Sequence, residues 1–126
     1  MRRALVTGGG GFLGATLVRQ LLAEGYEVRG FSRRRYPDLE RLGATWVSGD
    51  LREANRVSEA CRDVDVVFHT AAFAGVWGSW KTYHGINVEG TRHVIQGCQR
   101  HSVRHLVYTS SPSVTFDGGD QEGVDE

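Results

Sequence analysis

The chain has 126 residues, and its 15 Lys+Arg are matched by 15 Asp+Glu, so its net charge is zero and no overall field attracts nucleic acid or an anionic membrane. That length suits a single domain able to bury a core, and no apolar run is long enough to span a membrane. The first residues enter a strand at once with no export-signal pattern, so the cytoplasm is the expected location, and Cys61 and Cys98 are expected as reduced packing residues in separate helices.

The first strand, Arg2–Thr7, is followed by the glycine-rich turn Thr7–Gly14 and then by a helix whose stripe is Leu13, Leu17 and Leu21 with Val18 and Leu22. A helix that starts beneath a glycine turn aims its free N–H groups and positive dipole end at that turn, and a pyrophosphate fits there. Gly8 permits the tight turn, Gly11 lets phosphates approach the backbone, and Gly14 lets the helix pack closely on its strand. A glycine turn serving only packing is the competing reading; the strand–turn–helix frame favours the dinucleotide.

Glu24-Gly25 ends the helix, and Tyr26–Phe31 is a second strand. Its tip, Ser32-Arg33-Arg34-Arg35, carries no acid. A carboxylate there would bind a ribose 2′-hydroxyl and repel a 2′-phosphate, whereas arginine attracts the phosphate. The tip therefore favours NADP(H) over NAD(H), with Arg33 carrying most of the preference and a merely solvated loop as the alternative.

Pro37–Leu42 is a short helix stopped by Gly43, and Ala44–Ser48 is the third strand. Asp50, just beyond it, can accept a hydrogen bond from an adenine amino group while Leu51 covers the ring; Asp50 can equally be the N-cap of the helix bearing Val57, Ala60 and Cys61. Val64–His69 is the fourth strand, followed by small residues, Ala71 and Ala72, against which a cofactor can lie; His69 itself reads as a packed strand-end residue. The aromatic loop Phe73–Trp80, centred on Trp77, has the composition of a substrate wall, or equally of a loop packed on its own helix. A long helix is expected from Lys81 to about Arg100, with Ile86, Val94, Ile95 and Cys98 on its apolar face and Asn87, Gly90 and Thr91 as unusual members. His101 and His105 have no third ligand at fitting spacing, so no metal is expected. His105–Thr109, the fifth strand, delivers Ser110 and Ser111, and the acidic, glycine-rich residues 117–126 read as a loop.

Strands alternating with helices predict an α/β, doubly wound parallel sheet in order 3-2-1-4-5, with a ligand crevice at the carboxyl ends of the strands. The segments TGGGGFLG (7–14), GDLRE (49–53), HTAA (69–72), NVEGT (87–91) and YTSSPSV (108–114) occur in the order seen in extended short-chain dehydrogenases/reductases. Across nearly its whole length the chain resembles that superfamily, in the branch of NAD-dependent epimerases, dehydratases and 3β-hydroxysteroid dehydrogenases. The resemblance implies a Rossmann-type fold over residues 1–116. It also implies Gly8, Gly11, Gly14 and the Phe12 and Leu13 backbone at the pyrophosphate, Asp50 and Leu51 at adenine, Ala71 and Ala72 along the cofactor, Asn87 supporting the site, and Ser111 as the catalytic serine. Ser32 and Arg33 complete the expected cofactor set.

The superfamily's acid/base is a tyrosine with a lysine four residues later. Here Tyr26, Tyr36, Tyr83 and Tyr108 all lack such a partner, and Lys81 is the only lysine. The resemblance therefore implies an amino-terminal portion of a longer enzyme, inactive alone, with an uncovered sheet edge or face, whose parent is a homodimer. YTSSPSVTFDG with AGVWG is most similar to the 3β-hydroxysteroid dehydrogenase and 2-alkyl-3-oxoalkanoate reductase branch. The expected substrate is a bulky apolar ketone or secondary alcohol. A sugar-nucleotide epimerase or dehydratase, or a non-catalytic NADP-binding sensor or scaffold, are the alternatives.

Overall fold

The computed structural model of the chain describes residues 2–8, 12–70 and 88–108. Along them run β1 (Arg3–Thr7), α1 (Phe12–Ala23), β2 (Glu27–Ser32), α2 (Pro37–Arg41), β3 (Thr45–Ser48), α3 (Ala54–Ala60), β4 (Val66–His69), α4 (Gly90–Arg100) and β5 (His105–Tyr108). The strands form one parallel sheet in the order β3-β2-β1-β4-β5, as the alternation of elements predicts.

The central strand shows why the sheet is covered on both faces. Ala4, Leu5 and Val6 are all fully buried, and their side chains alternate between two cores because strand periodicity is two. Leu5 joins Phe31, Val67, Val57, Val94 and Cys98 beneath α3 and α4. Ala4 and Val6 join Val18, Leu21, Val28, Leu39 and Val66 beneath α1 and α2. The stripe expected on α1 is realised with Leu21 buried and Leu13 and Leu17 half-buried. Gly25 and Gly43, read as helix stops, both have positive φ, at 94° and 121°.

Strand β4 begins at Val66, two residues later than its apolar run suggests. Asp65 is occupied in fixing the start of the ladder: its N–H donates to the Arg3 carbonyl (2.9 Å), and its carboxylate accepts the Arg3 N–H (2.9 Å). The first half of the helix expected from Lys81, the Trp77 loop and residues 117–126 lie outside the described residues. Within α4 the apolar face differs from the expected one. Val94 and Cys98 are buried, but Ile95 is 41% exposed, because the buried stripe runs through Gly90, Val94, Gly97 and Cys98 and residue 95 falls beside it. Both cysteines are free and buried in the same core cluster, as read from the sequence. At the sheet's edge, Leu106, Val107 and Tyr108 of β5 are all exposed.

Gly90 is explained by packing. A Cβ built on it would lie 2.8 Å from Cβ of Leu51, so α4 sits directly on the turn that follows β3. Alanine is intrinsically better than glycine in a helix by up to about 1 kcal/mol. The clash exceeds that gain, since the neighbour is the root of a buried side chain and cannot swing aside. Gly90→Ala is expected to destabilise the chain by about 1–2 kcal/mol in urea unfolding; a variant as stable as the parent or more so would show that the Leu51–Gly90 contact is not tight.

Candidate functional site

The parallel register brings five strand ends to one edge. Ser32 pairs with Ser48, Thr7 with Phe31 and His69, and His69 with Tyr108. The sheet order reverses between β1 and β4, so the turn after β1 opens at the switch point where ligands bind in such sheets. Gly8 starts this turn with φ +73°, a conformation that side chains with a Cβ rarely adopt, and its N–H donates to the Phe31 carbonyl (2.9 Å). Helix α1 follows from Phe12, with Gly14 buried and no acidic side chain in its own first turn to offset the positive end of its dipole. Gly11 lies outside the described residues.

At the tip of β2 the structure separates the three arginines, of which Arg33 carries most of the weight in the sequence reading. Arg35 forks onto the Glu40 carboxylate (2.6 and 3.2 Å), and Arg34 lies over the Tyr36 ring, 5.9 Å from its centre. The Arg33 carbonyl accepts the Ser48 hydroxyl (3.0 Å), but its guanidinium makes no hydrogen bond or ion pair with another described residue. The Ser32 hydroxyl donates to the Arg34 carbonyl (2.6 Å) and accepts the indole N–H of Trp46 (3.0 Å). Ser32 therefore shapes the tip, while Arg33 is the arginine left to meet an anion.

Asp50 does not cap α3; the N-cap is Glu53. Instead, the Asp50 side chain closes its own turn. Its Oδ1 accepts the Arg52 N–H (2.9 Å) and Nε (3.1 Å), and its Oδ2 accepts Nη2 of the same guanidinium (2.9 Å). The Asp50 N–H donates to the Glu53 carboxylate (2.9 Å), and the Glu53 N–H returns a bond to the Asp50 carbonyl (2.8 Å). Hydrogen bonding from Arg52 is the largest influence holding the Asp50 carboxyl below its ordinary range, and the charge of Arg33 acts in the same direction. Leu51 turns into the core against Gly90, with its carbonyl accepting from Nδ1 of His93 (2.7 Å).

A buried chain of polar side chains that the sequence did not reveal crosses the switch point. Oγ1 of Thr7 lies 2.8 Å from Nδ1 of His69, and Nε2 of His69 lies 3.0 Å from Oγ1 of Thr91 on α4. The Thr7 oxygen also accepts the Thr70 N–H (3.0 Å), so the same hydroxyl is bonded to both residues at the end of β4. The Thr70 hydroxyl donates to the Thr7 carbonyl. The reading of His69 as a packed residue thus holds, with a bonding role added: it ties β1, β4 and α4 together directly behind the glycine turn. No local pattern signals it, because Thr7, His69 and Thr91 lie on three elements that only the sheet order and the packing of α4 bring together.

Burial pushes the His69 pKa down to about 4, from 6.5. The native state therefore resists a proton that the unfolded chain takes up readily. This contribution is fully present above the unfolded value of about 6.5 and is lost as pH falls from there towards 4. Stability is expected to drop by about 3 kcal/mol across that window. A His69→Gln variant should lose most of this slope in unfolding followed from pH 4 to 7; an unchanged slope would place the titration elsewhere.

The glycine turn, the acid-free helix start and an available arginine offer donors and charge, and an oriented aspartate an acceptor, that suit a dinucleotide, on a sheet whose order is that of a Rossmann-type nucleotide-binding fold. Residues 5–126 match the model of the 3-beta hydroxysteroid dehydrogenase/isomerase family, and the chain belongs to that family. It is 49% identical over 123 residues to a 2-alkyl-3-oxoalkanoate reductase of Shewanella oneidensis, covering 98% of this chain and 32% of that protein. It is 40% identical over 131 residues to a 3-beta-hydroxysteroid dehydrogenase of Mycolicibacterium neoaurum, covering 98% and 36%. Among solved structures, a short-chain dehydrogenase/reductase superfamily protein of Agrobacterium tumefaciens with bound NAD superposes with a TM-score of 0.76 at 33% identity, over 87% of this chain and 33% of that one. The chain thus spans about a third of the length of the relatives it matches. Ala71, Ala72, Asn87 and Ser111 lie outside the described residues. No helix among the described residues is long and apolar enough to cross a membrane.

Proposed function

We propose that the chain is the dinucleotide-binding part of an NADP(H)-preferring oxidoreductase that interconverts a ketone and a secondary alcohol on a bulky apolar substrate. The single observation that carries the cofactor preference is the β2 tip: it has no carboxylate, and of its three arginines only Arg33 has a guanidinium without a hydrogen bond, ion pair or ring contact among the described residues. The names of the similar reductase and dehydrogenase support the reaction class and the apolar substrate.

A bound nicotinamide would supply or accept hydride, and this chain's residues would bind and orient it. Amides of the Gly8 turn and the start of α1 would hold the pyrophosphate, Arg33 the 2′-phosphate and Asp50 the adenine amino group. Ala71 and Ala72 would let the backbone lie close to the cofactor, with Asn87 supporting the site. The Ser111 hydroxyl would hydrogen-bond the substrate oxygen as charge develops on it. The proton donor is assigned to a tyrosine–lysine pair outside residues 1–126, so this chain alone is expected to bind without turnover, within a parent acting as a homodimer.

Titration of the chain with NADPH and NADH tests this reading. NADPH is expected to bind about tenfold more tightly or better, consistent with the about 1.5–3 kcal/mol of a hydrogen-bonded charge, and Arg33→Ala should remove most of that margin. Arg34→Ala and Arg35→Ala should keep it. Equal affinities in the parent, or a preference unmoved by Arg33→Ala, would contradict the 2′-phosphate role.

A further inference from the structure

A carboxylate offers about four lone-pair directions to donors, two on each oxygen. On Asp50, three of these are already used, all by Arg52: its backbone N–H and Nε take both positions on Oδ1, and Nη2 takes one on Oδ2. The side chain keeps 20% of its exposure, and the fourth direction, on Oδ2, takes no hydrogen bond from a described residue. The Asp50 main chain is held as firmly, by the reciprocal bonds with Glu53 on one side and by burial of Leu51 against Gly90 on the other. An aspartate on a surface turn ordinarily samples several rotamers, each with a different face of the carboxylate outward. Here the guanidinium fork fixes its plane and presents a single acceptor.

We propose that Arg52 is a positioning residue for base recognition: by occupying three of the four acceptor directions of Asp50, it leaves one, aimed to accept one N–H of an adenine amino group. This rests on the adenine role of Asp50 given above and adds to it a determinant that never touches the base. Two consequences follow from the count of lone pairs. A base presenting a carbonyl in place of the amino group would set an oxygen against a fixed, ionised oxygen, with no rotamer able to relieve the repulsion. And a lysine at 52 would not substitute, because a single ammonium lacks the planar fork that takes both carboxylate oxygens at once.

The test compares NADPH with its hypoxanthine analogue, which carries a carbonyl at that position, by binding titration of the parent chain and of Arg52→Ala, Arg52→Lys and Asp50→Asn. Both ligands are measured on one preparation of each variant, so a partly folded sample lowers the number of sites without altering the ratio. The parent is expected to favour the adenine form by about tenfold or more. Asp50→Asn should abolish the preference, and both Arg52 variants should reduce it to within about threefold. Retention of the full ratio in Arg52→Ala and Arg52→Lys, with loss only in Asp50→Asn, would overturn the positioning role while leaving Asp50 as the adenine contact. No preference in the parent, or one that survives Asp50→Asn, would overturn the adenine role and this inference with it. Should Arg52→Ala fail to fold, Arg52→Lys, which keeps the charge and most of the volume, decides alone.

Discussion

The whole arrangement depends on β1 being buried on both faces. Ala4, Leu5 and Val6 have no exposure, so the chain must cover the strand with helices on each side and pair it in parallel with β2 on one edge and β4 on the other. Parallel pairing forces every connection to return along the sheet, which collects the carboxyl ends of the strands on one edge. The strand order reverses at β1, and in such sheets the crevice for a ligand opens at that point, here above Thr7 and Gly8. The site is a product of this covering of β1.

Several features of the edge act together because they share residues. Thr7 belongs to the β1 ladder, receives the Thr70 N–H and shares a hydrogen bond with His69, so the turn that begins at Gly8 is anchored from β2 through Phe31 and from β4 through His69. His69 passes the link to Thr91, which brings the start of α4 to the same place. On the other side of the gap, Arg33 and Asp50 lie near enough that the arginine's charge helps keep the carboxyl ionised. A cation and a hydrogen-bond acceptor therefore share this edge, as the proposed reading of an adenosine 2′-phosphate requires.

The order of the strands, the element types and the glycine turn were legible because each rests on local chemistry: apolar periodicity, glycine at positive φ, and alternation of elements. Boundaries shifted by a residue or two where a side chain had a second use, as with Asp65 at the start of β4. Ile95 was misassigned because Val94 and Ile95 are equally apolar and the rotation of α4 is fixed by tertiary contacts, Gly90 on Leu51 and Gly97 on Cys61 and Ser58. Asp50 reads as a cap from its place before a helix, but Arg52 two residues on competes for the carboxylate and wins with three bonds to none. The network through His69 joins residues 7, 69 and 91, and nothing in the spacing of such distant positions shows that they meet. Arg33 stands out by its place next to the strand tip, but that Tyr36 and Glu40 occupy the other two arginines is visible only in the fold.

Following the backbone amides of the isotopically labelled chain by NMR as NADPH is added is the most direct measurement of a dinucleotide held on this edge. The account predicts that the largest shifts fall on Gly8, Leu13, Gly14, Arg33, Asp50 and Leu51, three separate stretches of sequence that only the carboxyl edge of the sheet brings together. Shifts confined to the opposite edge, around Glu27 and Asp63, or the absence of any saturable change, would contradict it.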